Sequence, residues 1–123
     1  MKRLIKKASK MDDVREALEN YGGGGDFRIT ETKDGLSAEG VTSIFILEHY
    51  TDKEVEMDGL HVKIIVNEDG TVREFINLEG KWYEEKSTID ELIHDLNLTN
   101  LFGNNYEVMN ILQDMAYQSF IVD

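Results

Sequence analysis

The segment from residue 40 to residue 85 constrains the fold most, because it reads as a succession of antiparallel strands. Its β-branched and aromatic residues recur at alternate positions, which is typical of strands with one buried face. The clearest connection is Asn67–Gly70, since an Asp-Gly pair between two β-rich runs is a strong hairpin signal. The strand before this turn has a clean two-residue alternation. Its predicted buried positions are Leu60, Val62, Ile64 and Val66.

Further strands are predicted on both sides of this hairpin. The first is Asp26–Lys33, and Leu36–Gly40 is either a short strand or a loop. The run Gly40–Tyr50 is apolar along most of its length, which predicts a central strand with both faces covered. After the hairpin come Thr71–Leu78 and Lys81–Glu85.

The segment before Leu60 leaves two alternatives open. Glu54–Met57 is either a separate strand or the first part of one long strand interrupted by a bulge at Asp58-Gly59. Thr51-Asp52-Lys53 is predicted to turn the chain back into it.

One helix is predicted before the strands. Ser9 is the candidate N-cap of this helix, with Asp12 three residues later as its capping-box partner. Apolar residues follow at three- and four-residue steps. These residues are Met11, Val14, Ala17, Leu18 and Tyr21. Residues 1–8 form a basic N-terminal arm, a short strand or the first turns of this helix. The four glycines at 22–25 end the helix and form a flexible joint.

Two helices are predicted after the strands. Ser87 and Thr88 are the candidate caps of the first, with Asp90 and Glu91 at the capping-box positions, and Asn104 is the candidate cap of the second. A helix, about five strands and two further helices predict an α+β fold with an antiparallel sheet and helices on one face. At 123 residues the chain is expected to be one domain, 1–123.

The charge of the chain is uneven. Its formal net charge is −12, yet the first ten residues contain five basic residues and no acidic one. The other 113 residues have 25 acidic and 8 basic side chains, a net charge of −17. Such a body repels nucleic acid and membrane surfaces and attracts basic partners, although solubility alone is an alternative explanation. The absence of cysteine, of an apolar run of about 20 residues and of a signal peptide predicts a cytoplasmic protein.

Two groups of acidic residues are candidate partner-binding sites. Alternate strand residues lie about 6.6–6.8 Å apart on one face, a step comparable to the path between successive phosphates of a nucleic-acid strand. One group is a predicted line of four carboxylates, Asp52, Glu54, Glu56 and Asp58. The other lies where the sheet passes into a helix and comprises Glu84, Glu85, Asp90, Glu91 and Asp95. The alternative is a solvated edge strand whose charges prevent aggregation.

No residue pattern indicates an enzyme. The three histidines, His49, His61 and His94, offer at most pairs of metal ligands with nearby acidic residues, and the chain has no cysteine nucleophile. We therefore predict no catalytic residue, no metal and no cofactor. Trp82 and Tyr83 are predicted on opposite faces of the last strand, as core or interface residues.

The opening Met-Lys-Arg-Leu-Ile-Lys-Lys-Ala-Ser resembles the start of many small proteins from phages and mobile elements of Gram-positive bacteria. Small size, acidity and the lack of cysteine and proline fit that group as well. The resemblance implies an accessory protein of the anti-CRISPR or anti-restriction type. Such proteins often present acidic surfaces to nucleic-acid-binding enzymes.

The leading hypothesis is therefore a non-enzymatic acidic inhibitor that mimics DNA. It is expected to bind a basic nucleic-acid-binding site on a host defence protein, without binding nucleic acid itself. The alternative is a structural or regulatory protein-interaction module, such as a homodimer joined through apolar surface. A metal-dependent hydrolase built around the histidines is the third hypothesis.

Overall fold

Three helices and five strands make up the part of the chain that the computed structural model describes, residues 2–21, 26–98 and 100–121. The elements in chain order are α1 (Lys2–Glu19), β1 (Asp26–Thr32), β2 (Gly35–Leu47), β3 (Glu54–Asn67), β4 (Thr71–Leu78), β5 (Lys81–Thr88), α2 (Ile89–Asn97) and α3 (Tyr106–Ile121). The strands form one antiparallel sheet in the order β1-β2-β3-β4-β5. The predicted α+β fold is confirmed, while the predicted glycine joint at 22–25 lies outside the described residues.

The predicted hairpin at Asn67–Gly70 joins β3 to β4. The amide of Gly70 donates to the carbonyl oxygen of Asn67 at 3.0 Å, and Gly70 has a φ of 98°. This left-handed conformation is accessible to glycine without a steric penalty. The Asp-Gly signal therefore corresponds to the turn that aligns β4 with β3, and this prediction is confirmed.

One face of the sheet is covered by the helices, and the other is open. The buried residues of β3 include Leu60, Val62 and Ile64, each at most 4% exposed, and they form one core with the helices. Helix α1 packs on β1, β2 and α2, helix α2 packs on β4 and β5, and α3 packs on β2 and β3. The predicted helix cover of one face is confirmed. We call the two sides of the sheet the helix-covered face and the open face.

Strand β2 differs from the prediction in extent and position. It runs without interruption from Gly35 to Leu47, and the middle strand of the sheet is β3. The predicted cover of both faces is also wrong, since Phe45 and Leu47 are 44% and 56% exposed. The reason is that no helix lies over the open face among the described residues, so alternate side chains of β2 meet solvent.

Strand β3 is continuous and contains a β-bulge at Asp58-Gly59. The pairing register shifts at Ser43 of β2, so that two residues of β3 stand opposite one residue of β2. Gly59 has a φ of 72°, the left-handed conformation that favours glycine. Of the two predicted alternatives for this segment, the long strand interrupted at Asp58-Gly59 is confirmed.

The bulge decides which residues of β3 face the helices. After it, the even-numbered positions from Leu60 onwards are buried, whereas before it Val55 and Met57 pack against the core. Because side chains alternate between the two faces, one extra residue reverses the numbering of the buried positions. Apolar side chains thus stay on the helix-covered face along the whole strand, and Glu54 and Glu56 remain exposed on the other.

Helix α1 begins at Lys2, so the predicted N-cap at Ser9 is wrong. Of the three alternatives predicted for residues 1–8, the first turns of this helix are confirmed for residues 2–8. The physical reason is that residues 2–8 contain no glycine or proline and consist mainly of good helix formers, so nothing prevents the helix from extending. The apolar stripe is confirmed, since Val14, Ala17 and Leu18 are buried.

The two later helices begin with side-chain caps. The hydroxyl of Thr88 accepts a hydrogen bond from the amide of Glu91, which confirms one of the two predicted caps of α2. Helix α3 is capped by Asn105, whose side-chain oxygen accepts from the amide of Val108 at 3.1 Å. The prediction of Asn104 as this cap is therefore wrong by one residue. Among the described residues, no helix is both long and apolar enough to cross a membrane.

The one-sided cover of the sheet predicts unequal effects for two adjacent isoleucines of the middle strand. Ile64 faces the helices and is 0% exposed, whereas its neighbour Ile65 is half-buried on the open face. Ile64→Ala should lower the free energy of unfolding by about 2–5 kcal/mol, because it leaves a cavity in the core. The matched control Ile65→Ala should cost within about 1 kcal/mol. Denaturant unfolding would measure both, and equal losses would contradict the assignment of the faces.

Candidate protein-interaction site

Strands β2 and β3 extend beyond their neighbours at one end of the sheet. Among the described residues, strand β1 pairs with β2 only up to Val41, and β4 pairs with β3 only from His61 onwards. Within that part of the chain, residues 42–60 are two-stranded, and we call them the extension hairpin. The predicted line of carboxylates lies on this hairpin.

Three of the four predicted acidic residues occupy the open face of the extension hairpin. Glu54, Glu56 and Asp58 alternate along β3 and are exposed, and we call these three residues the acidic row. Asp52 lies in the preceding turn with a φ of 57°, outside the strand, so its predicted place in the line is wrong. The chain must reverse direction between β2 and β3, and Asp52 adopts the left-handed conformation that this turn requires.

Asp58 is held at the bulge by a hydrogen bond. The hydroxyl of Ser43 donates to its carboxylate at 2.5 Å, and Ser43 is itself only 5% exposed. A side chain that lies on the open face of β2 thus fixes the end of the acidic row on β3.

Apolar side chains stand directly opposite the other two acids. In the register of the hairpin, Phe45 pairs with Glu56 and Leu47 pairs with Glu54. Side chains directly opposite each other in an antiparallel pair are close enough to act on the same partner. The open face of the hairpin therefore combines an acidic row with an adjacent apolar row. The sequence predicts only the acidic part of this surface, because the apolar run Gly40–Tyr50 predicts Phe45 and Leu47 in a covered strand.

The turn of the extension hairpin is organised by the buried carboxylate of Glu48. Its two oxygens accept hydrogen bonds from the amides of Tyr50 and Thr51, at 2.9 and 2.6 Å, and from the Thr51 hydroxyl. Burial of the carboxyl favours its neutral form, but these hydrogen bonds outweigh burial and lower the pKa of Glu48. The ionised side chain therefore fits this site and connects the end of β2 to the turn.

Helix α3 supports the hairpin from the helix-covered face. The side-chain amide of Gln113 donates to the carbonyl oxygen of Leu47 at 2.8 Å, and the rings of Tyr50 and Tyr117 lie 4.8 Å apart. These contacts hold the end of the hairpin against the helix. The acidic row is thus presented by a supported structure.

The second predicted acidic cluster does not form one surface. Glu84 lies on the open face, where it makes a bidentate pair with Arg73 at 2.9 and 3.0 Å. Hydrogen bonding to Arg73 is the main cause of a lowered pKa of Glu84. Arg73 also lies over the ring of Phe75, 5.0 Å from its centroid. Glu84 therefore belongs to a local ion pair, away from the extension hairpin.

The other members of that cluster lie on the opposite side of the sheet or on α2. Glu85 follows Glu84 in β5 and so points to the other face, while Asp90 is exposed and lies 3.8 Å from the Lys10 ammonium. Glu91 lies in the first turn of α2, and its carboxylate accepts a hydrogen bond from the Ser87 hydroxyl at 3.2 Å. Adjacent strand residues face opposite sides, so consecutive acids in a sequence do not form one patch.

A buried glutamate that is not among the predicted site residues lies beside this cluster. Glu74 lies on the helix-covered face of β4, between Ile64 of β3 and Glu85 of β5. Its side chain is 0% exposed. Among the described residues, neither of its carboxylate oxygens has a hydrogen-bond partner. The signal was present, because the two-residue period that buries Val72 and Ile76 also buries the position between them.

The surroundings of Glu74 favour its protonated form. Burial is the largest cause, and the neighbouring carboxylates of Glu85, Asp95 and Glu91 add to it. Together they raise the pKa of Glu74 to about 8. Burial also raises the pKa of Glu85 and of Asp95, so all three acids are harder to ionise than exposed carboxylates.

His61 contacts both an acidic and an aromatic side chain. His61 is 2.8 Å from a carboxylate oxygen of Glu39, and its ring makes an edge contact with Trp82 at 5.0 Å. Within the described ranges, no group of three or more histidine, cysteine, aspartate or glutamate side chains could hold a metal ion. Trp82 is 45% exposed on the open face and Tyr83 packs against the core, which confirms their predicted opposite orientations.

Comparison with known proteins identifies no relative: no family model, no curated protein and no solved structure matches this chain.

The buried carboxyl of Glu74 predicts a pH-dependent stability. The pKa is about 8 in the folded protein and about 4.5 in an unfolded chain, so folding favours the protonated form. The contribution of Glu74 to stability should therefore be full below about pH 4.5 and should decline as the pH rises to about 8. Glu74→Gln stays neutral, and its stability relative to the wild type should increase by about 4 kcal/mol over this interval.

Urea unfolding at a series of pH values would measure this difference. Glu107→Gln on the exposed surface of α3 is the matched control for the removal of one carboxylate. A difference for Glu74→Gln that does not change between acidic and mildly alkaline pH would show that the carboxyl is not held in its protonated form.

Proposed function

We propose that this protein is a non-enzymatic inhibitor that binds a basic nucleic-acid-binding site on a host defence protein through its extension hairpin. The observation that carries the proposal is the alignment of Glu54, Glu56 and Asp58 on one exposed face, directly beside exposed Phe45 and Leu47. Protein interfaces commonly combine an apolar centre with charges that steer and orient the partner.

The charge of the hairpin supports a basic partner. Residues 42–60 contain five acidic side chains and one lysine, Lys53, and the chain as a whole has a formal net charge of −12. Alternate strand positions repeat at about 6.6–6.8 Å, so the acidic row offers carboxylates at a spacing that suits Lys and Arg side chains arranged for phosphates. Direct binding of nucleic acid is disfavoured by the same charge.

A second function, a homodimeric regulatory module, is favoured by a different observation. Val41, Phe45 and Leu47 are all more than two-fifths exposed on the open face, and another copy of the chain could cover them. The two functions predict opposite salt dependence, because screening weakens contacts between charges and leaves apolar association largely intact.

Reversal of the acidic row tests the leading proposal. At low salt, the wild type should capture a host protein from a Gram-positive bacterial lysate. The triple variant Glu54→Lys, Glu56→Lys and Asp58→Lys should no longer capture it. High salt should release the same protein from the wild type. The captured enzyme should also lose binding of a DNA oligonucleotide when the wild-type protein is added.

A matched control separates this site from the net charge. Asp12→Lys, Glu19→Lys and Asp114→Lys change the charge by the same amount on exposed positions of α1 and α3. This variant should still capture the host protein and compete with DNA. Equal loss in both variants would show that net charge alone acts, and retained capture by the row variant would reject the proposed site. Unfolding curves of both variants would verify that they fold.

A further inference from the structure

The outer edge of β3 is open along the extension hairpin. Strand β4 pairs only with His61–Val66, so residues 54–60 have β2 on one side and no neighbouring strand among the described residues on the other. Outside helices and strands, none of the backbone hydrogen bonds made by the described residues involves residues 54–60. A Cβ placed on Gly59 would meet nothing within 4 Å. The strand edge therefore has outward amide and carbonyl groups that another strand could pair with.

The two faces of this edge differ in chemistry. On the open face it has the carboxylates of Glu54, Glu56 and Asp58, and on the helix-covered face it has Val55 and Met57, which are partly buried against the core. A strand added at this edge would place its own side chains alternately beside these two sets. Its complementary sequence would alternate basic residues with apolar ones.

We propose that the edge of β3 from Glu54 to Leu60 binds an extended segment of a partner protein as an additional strand of the sheet. The segment has Lys or Arg at alternate positions, facing the acidic row, and apolar residues between them, facing Val55 and Met57. The inference rests on the proposed function, because it specifies how the acidic row engages a basic partner. Main-chain hydrogen bonds supply affinity in this mode, and the alternating side chains supply specificity.

A second copy of the chain is a poor occupant of this edge. Two β3 edges paired with each other would bring Glu54, Glu56 and Asp58 of each copy onto the same face of the joined sheet. Like charges opposite one another destabilise strand pairing. The acidic row thus selects a basic segment and opposes self-association through this edge.

Synthetic peptides with blocked termini would test the inference on the intact protein. The probe is a peptide of about seven residues with alternating lysine and valine, a length that matches residues 54–60. Its isomer has the same composition, with all lysines before all valines. Two further versions are methylated on the backbone nitrogens of either the lysines or the valines, because only one of these sets can point towards β3.

Nuclear magnetic resonance titration of the labelled protein would measure affinity and location. The alternating peptide should shift the amide signals of residues 54–60 and slow the hydrogen exchange of alternate amides there. One methylated version should bind roughly tenfold more weakly or not at all, while the other binds like the parent. The isomer should bind more weakly than the alternating peptide, because it cannot place its charges and its apolar side chains on opposite faces.

Other outcomes would overturn the additional strand, and they can be told apart from a failure of the proposed function. Equal, salt-sensitive binding of all four peptides would show that the acidic row acts by charge alone, without strand addition. Binding of none of them would also reject the additional strand, and the lysate experiment with the charge-reversed variant would still decide whether the acidic row binds a host protein. Signals that shift only at Phe45 and Leu47 would place the contact on the open face, away from the edge.

Discussion

The burial of one sheet face against three helices is the interaction on which the rest of the structure depends. A strand directs alternate side chains to opposite faces. When helices cover only one face, the side chains on the other face are exposed to solvent. In β3 this produces the contrast between Ile64, which is fully buried, and the half-buried Ile65 beside it. The open face therefore exists because all the described helices lie on the same side, and the proposed interaction surface is part of that face.

The bulge at Asp58-Gly59 allows this one-sided burial to continue along the longest strand. The extra residue reverses the numbering of the buried positions, so Val55 and Met57 pack on the same side as Leu60. Without it, Val55 and Met57 would point to the open face, and Glu54 and Glu56 would point to the helix-covered face. The same local irregularity therefore supports the core and fixes the place of the acidic row.

The sheet also holds an unfavourable residue within its core. Glu74 occupies a position that the alternation of β4 assigns to the helix-covered face, and no positive charge compensates it among the groups that set its pKa. A buried carboxyl is tolerated most easily when it is neutral, which links the packing of β4, β5 and α2 to proton binding. Glu48 shows the contrasting solution, because hydrogen bonds from the turn satisfy its charge.

The amino-acid sequence determined the elements that depend on local periodicity and local chemistry. These are the alternating strands, the Asp-Gly turn, the apolar stripes of the helices and the Thr88 cap, each set by residues within a few positions of one another. Only the tertiary structure decided that Phe45 and Leu47 are exposed and that the edge at residues 54–60 is free of a neighbouring strand among the described residues. Those properties depend on which elements pack together across long sequence separations, and local patterns do not contain that information.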